Sequence, residues 1–263
     1  MSLVIFLYFA VGSIAGISGA LLGIGGGAIT VPALLVIFSF LDFPKDYIMH
    51  IAIGTSLSSM TINTLAATYF HHRKKSVAWT AIRRMFLGIA IGSFAGAFIA
   101  RELSSHSLQA IFGVFACLLG LSFIKPLKEV PESDTVPSFL VFTFIGIGVA
   151  CLANLLGLGG GFFMLPILFY FHFNGKKAIG TSSATSFLIS LGGSIGYLVS
   201  TTESPNIPGC FGYIYLPAFI TISLGSLIAS FYGVKLAHSL PINVIRKIFA
   251  FTIISVGLLM IFN

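Results

Sequence analysis

Hydrophobic residues run along this chain in long uninterrupted blocks that are separated by short polar stretches. They do not alternate with polar residues, as they would in the strands of a membrane barrel. Because about 20 apolar residues are needed for a helix to cross the hydrocarbon core of a bilayer, the pattern predicts membrane helices. The ten predicted segments are 2–20, 26–41, 47–70, 79–100, 107–124, 136–156, 160–173, 177–200, 212–234 and 243–262.

The second and seventh segments are shorter than the others, and we expect half-membrane or broken helices there. Whether these two segments cross completely stays open, so the pattern allows eight or ten full crossings.

Composition supports the same fold class. Of the 263 residues, 57% are hydrophobic and only 8% are charged, whereas a soluble domain carries about 25% charged residues. So few charges cannot cover a water-exposed surface. We therefore predict an all-α polytopic membrane protein whose main partner is the lipid bilayer.

The net charge of +7 follows from topology rather than from nucleic-acid binding, because cytoplasmic loops are enriched in Lys and Arg. If all segments cross, one face carries only Lys45 and Arg101. The other face carries Arg73, Lys74, Lys75, Arg83, Arg84, Lys125, Lys128, Lys176, Lys177, Lys235, Arg246 and Lys247. We expect both termini outside, the His71–Arg84 loop in the cytoplasm, and a multi-pass location in the plasma membrane, the inner membrane of a bacterial cell.

The chain repeats itself. The passage from Ala20 to Leu34 matches the passage from Asn154 to Leu168, and a Gly-Thr-Ser motif follows each, at Gly54 and Gly180. A further Gly-Ser pair recurs at Gly92 and Gly225. We predict two transmembrane repeats, 1–125 and 135–263, joined by a linker at 126–134 within one integral membrane domain. Since each half holds five segments, the second half enters the membrane from the opposite side, which is an inverted-topology repeat.

Three consecutive glycines in each repeat predict an interrupted membrane helix, because glycine weakens a helix by about 1 kcal/mol relative to alanine. The runs are Gly25–Gly27 and Gly159–Gly161, each followed by a proline, Pro32 and Pro166. A new helix beginning there presents unpaired amides and partial positive charge, which bind anions. The alternative is that these glycines only permit close helix packing.

Hydroxyl side chains cluster beside both glycine runs. Residues 55, 59 and 63 share one helix face, as do residues 182, 186 and 190. Such hydroxyls either line a polar cavity or bond their own helix or a neighbouring helix. The candidate substrate-binding residues are Gly25, Gly26, Gly27, Thr55, Ser56, Ser59, Asn63, Asn154, Gly159, Gly160, Gly161, Thr181, Ser182 and Ser186, with Asn154 the first choice among the polar side chains.

Every acidic residue falls in a predicted loop or at the end of a span, so no buried carboxylate is available for a proton relay. Arg73, Lys74, Arg83 and Arg84 either attract anions to the cytoplasmic mouth or only set topology. The six histidines show no metal-ligand spacing, and we expect no metal, no cofactor and no enzymatic activity.

The doubled pattern resembles the sulfite exporter TauE/SafE family. Its residues here are Gly23–Pro32 with Ala52–Ser56, and Gly157–Pro166 with Ala178–Ser182. The first Thr-Ser motif departs from the pattern, because His50-Ile51 stands where the second has Lys176-Lys177. The resemblance implies a secondary transporter of a small sulfur-containing anion, such as sulfite or an organosulfonate like sulfoacetate.

We expect export, because a cell interior that is negative by 100 mV drives a monoanion outward by about 2.3 kcal/mol. An anion channel of the same architecture, or an importer coupled to sodium or protons, stays open as an alternative. A homodimer also stays open.

Overall fold

The computed structural model describes residues 2–124, 137–201, 207–237, 239 and 242–262. Within these ranges the chain forms ten helices and one small hairpin. They are α1 (Ser2–Leu22), α2 (Gly27–Phe40), α3 (Ile48–Arg73), α4 (Trp79–Glu102), α5 (Ser105–Ile124), α6 (Phe139–Leu156), α7 (Gly161–Tyr170), α8 (Gly175–Val199), β1 (Cys210–Phe211), β2 (Ile214–Tyr215), α9 (Leu216–Ala237) and α10 (Ile242–Phe262).

Each helix corresponds to one predicted segment, and the all-α membrane class is confirmed. The predicted linker 126–134 lies outside the described residues, as do Lys125, Lys128 and Glu203. Five described helices, α1, α4, α6, α8 and α9, are long and apolar enough to cross a membrane. Large apolar side chains on their outer faces are exposed, for example Phe144 on α6 and Phe231 on α9, which is the surface that lipid covers.

Two predicted boundaries were wrong. The ninth segment was predicted to begin at 212, but residues 210–215 form an antiparallel hairpin in which Cys210 faces Tyr215. Gly209 and Gly212 have positive φ angles of 87° and 58°, which allow the turns that hold the hairpin in front of α9.

The connection after the third segment is shorter than the predicted His71–Arg84 loop. Helix α3 continues past residue 70 to Arg73, and α4 starts at Trp79 as the predicted segment 79–100 does, so the connection is only the segment 74–78. Basic residues in the last turn of a helix are stabilised by its dipole, which explains why His71, His72 and Arg73 extend α3.

The two short helices behave as the sequence predicted. Helix α2 has 14 residues and α7 has 10, so they are about 21 Å and 15 Å long. Both are shorter than a hydrocarbon core of about 30 Å.

Helices α3 and α8 pack against each other at the centre, and the others pair around them: α1 with α9, α4 with α6, and α5 with α10. Glycines permit this close packing. A Cβ atom on Gly92 of α4 would overlap the Ile147 carbonyl of α6, and one on Gly225 of α9 would lie 2.5 Å from the Phe9 carbonyl of α1. The glycine of the recurring Gly-Ser pair therefore makes a similar helix contact at both positions.

Candidate functional site

Both glycine runs interrupt the helices, as predicted. Helix α1 ends at Leu22 and α2 begins at Gly27, while α6 ends at Leu156 and α7 begins at Gly161. We call the intervening residues break 1 (Gly23–Gly26) and break 2 (Gly157–Gly160). Three glycines in each break have positive φ angles between 69° and 92°, namely Gly23, Gly25, Gly26, Gly157, Gly159 and Gly160.

The two breaks touch each other. Gly27, the first residue of α2, lies so close to break 2 that a Cβ atom would overlap the Gly157 carbonyl oxygen. Gly161, the first residue of α7, lies equally close to the Gly23 carbonyl oxygen of break 1. The first residue of each short helix therefore packs against a carbonyl of the opposite break.

One side chain fills the space between the breaks. The thioether of Met60, near the middle of α3, would be overlapped by a Cβ atom on Gly25, Gly27 or Gly159. Methionine adapts to irregular gaps because it is unbranched and flexible. Met60 was not among the predicted site residues, since an apolar side chain in a membrane helix gives no signal in the sequence.

Hydroxyls from the central helices bond each break across the halves. Ser182 of α8 donates to the Gly23 carbonyl at 2.8 Å, and Ser186 is 3.5 Å from the same oxygen. Ser56 of α3 lies 3.5 Å from the Gly157 carbonyl. All three hydroxyls are buried, so the Gly23 and Gly157 carbonyl oxygens have hydroxyl donors that can also donate to a bound anion.

Asn63 holds the outer part of break 1. Its amide donates to the Gly25 carbonyl at 3.0 Å, while its Oδ1 accepts from Ser230 of α9. Ser59, one turn earlier, donates to the Thr55 carbonyl of its own helix at 2.9 Å. Asn63 thus positions the break, whereas Ser59 bonds its own backbone.

Asn154, the first choice among the polar side chains, lies between α4 and α8. Its amide nitrogen is 3.4 Å from the Ser93 carbonyl of α4, and its side chain packs against Gly193 of α8. Tyr197 donates to the Asn154 main-chain carbonyl at 3.2 Å. Asn154 Oδ1 is buried and has no hydrogen-bond partner among the described residues, so it stays able to accept a hydrogen bond.

Thr55 and Thr181 close the site from two sides by equivalent contacts. The Tyr215 N–H of the hairpin donates to Thr55 Oγ1 at 2.9 Å, and the Ala78 N–H donates to Thr181 Oγ1 at the same distance. We call these contacts the hairpin closure and the loop closure. The preceding glycines, Gly54 and Gly180, let the hairpin and the 74–78 segment approach the helices.

A cavity of about 200 Å³ lies beside the hairpin closure. Ser58 and Ser194 face it, and their hydroxyl oxygens are 2.7 Å apart. Apolar side chains form the rest of its wall, including Leu198, Phe211 and Phe219. The glycines of the breaks are buried and do not line this cavity, so the structure is closed around the breaks.

The basic candidates lie on one end of the molecule. Arg73 ends α3 and lies 6.0 Å from the ring centre of Tyr69, and Lys74 follows it. Arg83 is exposed in the second turn of α4, whereas Arg84 donates to the Pro137 carbonyl. Arg84 therefore links the start of α6 to α4 and has a structural role.

Comparisons with known proteins identify a family and several relatives. The model of the family described as Sulfite exporter TauE/SafE matches residues 8–260. A probable membrane transporter protein of Haemophilus influenzae is 33% identical over 97% of this chain and 97% of its own. One of Methanocaldococcus jannaschii is 29% identical over 97% and 94%, and one of Bacillus subtilis is 31% identical over 76% and 80%.

Proposed function

The chain belongs to the sulfite exporter TauE/SafE family and is a membrane transporter, and on that premise we propose that it exports a small sulfur-containing anion. The substrate class is sulfite or an organosulfonate such as sulfoacetate. The observation that carries the site is the direct contact between the two breaks, where two helix N-termini and hydroxyls from both halves meet.

Binding exchanges the partners of the hydroxyls. In the closed structure Ser182 donates to the Gly23 carbonyl, and the first residues of α2 and α7 pack against the carbonyls of Gly157 and Gly23. When the breaks separate, sulfonate or sulfite oxygens enter the space beside the helix N-termini, where partial positive charge favours anions. The hydroxyls of Ser56 and Ser182 turn from the carbonyls to the anion, and Met60 moves out of the space between the breaks.

Binding without a full counter-charge suits a transporter, which has to release its substrate. Among the described residues the breaks are contacted by amides, hydroxyls and a thioether rather than by Lys or Arg. The ammonium or guanidinium groups near the expected cytoplasmic mouth, including Arg73 and Lys74, raise the local anion concentration without binding tightly.

The halves work as inverted repeats that alternate access. The exchanged contacts support this proposal, because Thr55 of one half binds the hairpin of the other and Thr181 binds the 74–78 segment in return. Opening the hairpin closure exposes the breaks to the outside, and opening the loop closure exposes them to the cytoplasm. This assignment places both termini outside, in a bacterial inner membrane.

The cavity beside the hairpin closure is the outer vestibule in this scheme. Its Ser58 and Ser194 hydroxyls can bond a sulfonate, while its apolar wall accepts the carbon part of an organosulfonate. A vestibule of this composition favours an organosulfonate over sulfate, which has no apolar part.

The test is flux in proteoliposomes with sulfite, sulfate, thiosulfate, sulfoacetate, taurine and chloride. We expect saturable flux and counterflow for one sulfur anion, and a loss of about tenfold or more in Ser182→Ala and Ser56→Ala, because hydrogen bonds to charged groups contribute about 1.5–3 kcal/mol. Asn154→Ala tests the remaining polar candidate. Ser255→Ala is the matched control, since Ser255 is an α10 hydroxyl that bonds only its own helix in the described hydrogen bonds.

Equal flux of all anions with single-channel currents would establish the anion channel and refute the transporter. Wild-type flux of a sulfur anion that is unaffected by all three site variants would leave the transporter and move its site away from the breaks.

A further inference from the structure

A second cavity, of about 320 Å³, lies where the ends of α3 and α9 meet. Its lining residues are Phe70, Arg73, Lys74, Phe231, Val234 and Lys235. None of these contacts either break in the described interactions, so this cavity is separate from the transport site.

The cavity is divided into an apolar and a basic part. Phe70 and Phe231 face each other with ring centres 5.5 Å apart, and Val234 is buried behind them. Arg73, Lys74 and Lys235 are exposed at the helix ends. None of the six lining residues is acidic, so the positive charge is open to an external anion.

Aromatic residues place the cavity at the level of lipid headgroups. Tyr69 and Tyr232, which flank the two phenylalanines, are more than half exposed, and Trp79 is exposed at the start of α4. Tyr and Trp concentrate at the boundary between hydrocarbon and water. The basic part therefore lies at headgroup depth, and the apolar part faces the acyl chains.

We propose that this cavity binds one anionic phospholipid. The phosphate lies between Arg73, Lys74 and Lys235, and an acyl chain lies along Phe70 and Phe231. Basic pockets between membrane helices bind anionic headgroups in this way. A free anion would gain nothing from the aromatic wall, which opens towards lipid at Phe231.

Lipid binding here has a consequence for transport. Lys74 begins the 74–78 segment that forms the loop closure through Ala78. A phospholipid held by Arg73 and Lys74 stabilises one position of this segment, and it thereby changes how often the loop closure opens.

The experiment is native mass spectrometry of the full chain in detergent, titrated with phosphatidylglycerol, phosphatidylcholine or free glycerol phosphate. We expect phosphatidylglycerol to be retained in preference to phosphatidylcholine, with glycerol phosphate binding much more weakly. In the triple variant Arg73→Gln/Lys74→Gln/Lys235→Gln that preference falls at least about tenfold, since each basic residue near an anionic headgroup contributes about a fivefold gain in affinity.

The control triple variant is Lys75→Gln/Arg83→Gln/Lys176→Gln, which removes the same number of exposed charges. An equal loss in both variants, or no loss in the first, would overturn the proposal. Equal binding of glycerol phosphate and phosphatidylglycerol would identify a site for free phosphate instead. If the triple variant does not fold, the single variant Lys235→Glu, which reverses one exposed charge, is measured instead. The proposal requires that this variant also lowers the preference for phosphatidylglycerol over phosphatidylcholine.

Discussion

Single residues decide how closely the two breaks approach, and part of this could be predicted. The breaks could be predicted from the glycine runs because only small residues fit them, and the shared face of Ser182 and Ser186 follows from their helical spacing. Asn154 packs against Gly193. This contact could not be predicted, because the rotation of α6 about its own axis depends on its packing against other helices, which a single sequence does not contain.

Adding one methyl group at the breaks tests the contact between them. We expect Gly27→Ala and Gly161→Ala each to lower the free energy of unfolding by about 1–3 kcal/mol through overpacking, and to abolish flux. Neither glycine has a positive φ angle, so the effect comes from overlap with the opposite carbonyl. Thermal unfolding in detergent measures the change.

Gly148 of α6 provides the matched control. A Cβ atom there meets nothing within 4 Å, so Gly148→Ala should raise stability by up to about 1 kcal/mol through helix propensity. If Gly27→Ala proves as harmless as Gly148→Ala, the breaks do not touch as described.

The hairpin thiol gives a pH-dependent signal outside the membrane helices. Burial raises the pKa of Cys210 to about 11. Because only the thiolate reacts, maleimide labelling of Cys210 should be slow at pH 7 and rise about tenfold per pH unit up to pH 10. Mass spectrometry in a Cys117→Ala/Cys151→Ala background follows the rate. A plateau near pH 9 would mean that Cys210 is exposed rather than buried.

At the scale of elements, the positions of the helices could be predicted because a continuous apolar block has few other folds in lipid. The hairpin at 210–215 could not, since Tyr213, Ile214 and Tyr215 are as apolar as the helix that follows. Gly209 and Gly212 are the residues in the sequence that could indicate turns, but they identify the hairpin only once its contact with Thr55 is known. The two closures therefore arise from contacts between segments that are distant in the sequence.

The two closures should respond separately to isosteric substitutions. Thr55→Val removes the acceptor for the Tyr215 N–H, and Thr181→Val removes the acceptor for the Ala78 N–H. A lost hydrogen bond of about 0.5–1.5 kcal/mol increases the open population by about two- to tenfold. We expect Thr55→Val to increase labelling of Cys210 by an impermeant maleimide, and Thr181→Val to leave it unchanged.

A cysteine introduced by Val77→Cys in a cysteine-free background reports on the loop closure. We expect Thr181→Val to increase its labelling and Thr55→Val to leave it unchanged. Labelling that rises at both positions in either variant would show that the two closures open together. Such a result contradicts alternating access and fits a channel.

At the scale of the whole molecule, the repeated sequence corresponds to repeated contacts. Helix α1 packs on α9 as α6 packs on α4, while α3 and α8 pack on each other. This exchange of partners between the two predicted repeats is compatible with a two-fold relation, which stays a prediction from the doubled motifs. The substrate was not predictable, because the groups at the breaks are main-chain atoms and small hydroxyls that fit any compact oxyanion.

The proposed direction of transport rests on charge, and it can be tested on the intact protein. Acidic residues among those described lie in loops or at helix ends, such as Asp42, Asp46 and Glu102, which pairs with Arg101. The proposal is that the anion moves without a coupling cation and follows the membrane potential. In proteoliposomes held at 100 mV, interior negative, a monoanion should be depleted inside by about fiftyfold at equilibrium, and reversing the potential should reverse the gradient. Protein-free and Ser182→Ala vesicles set the background.

Accumulation of the anion inside against this potential, dependent on a sodium or proton gradient, would instead establish a coupled importer. Its coupling cation would then have to be bound by neutral oxygens, such as those of Asn63 and Asn154.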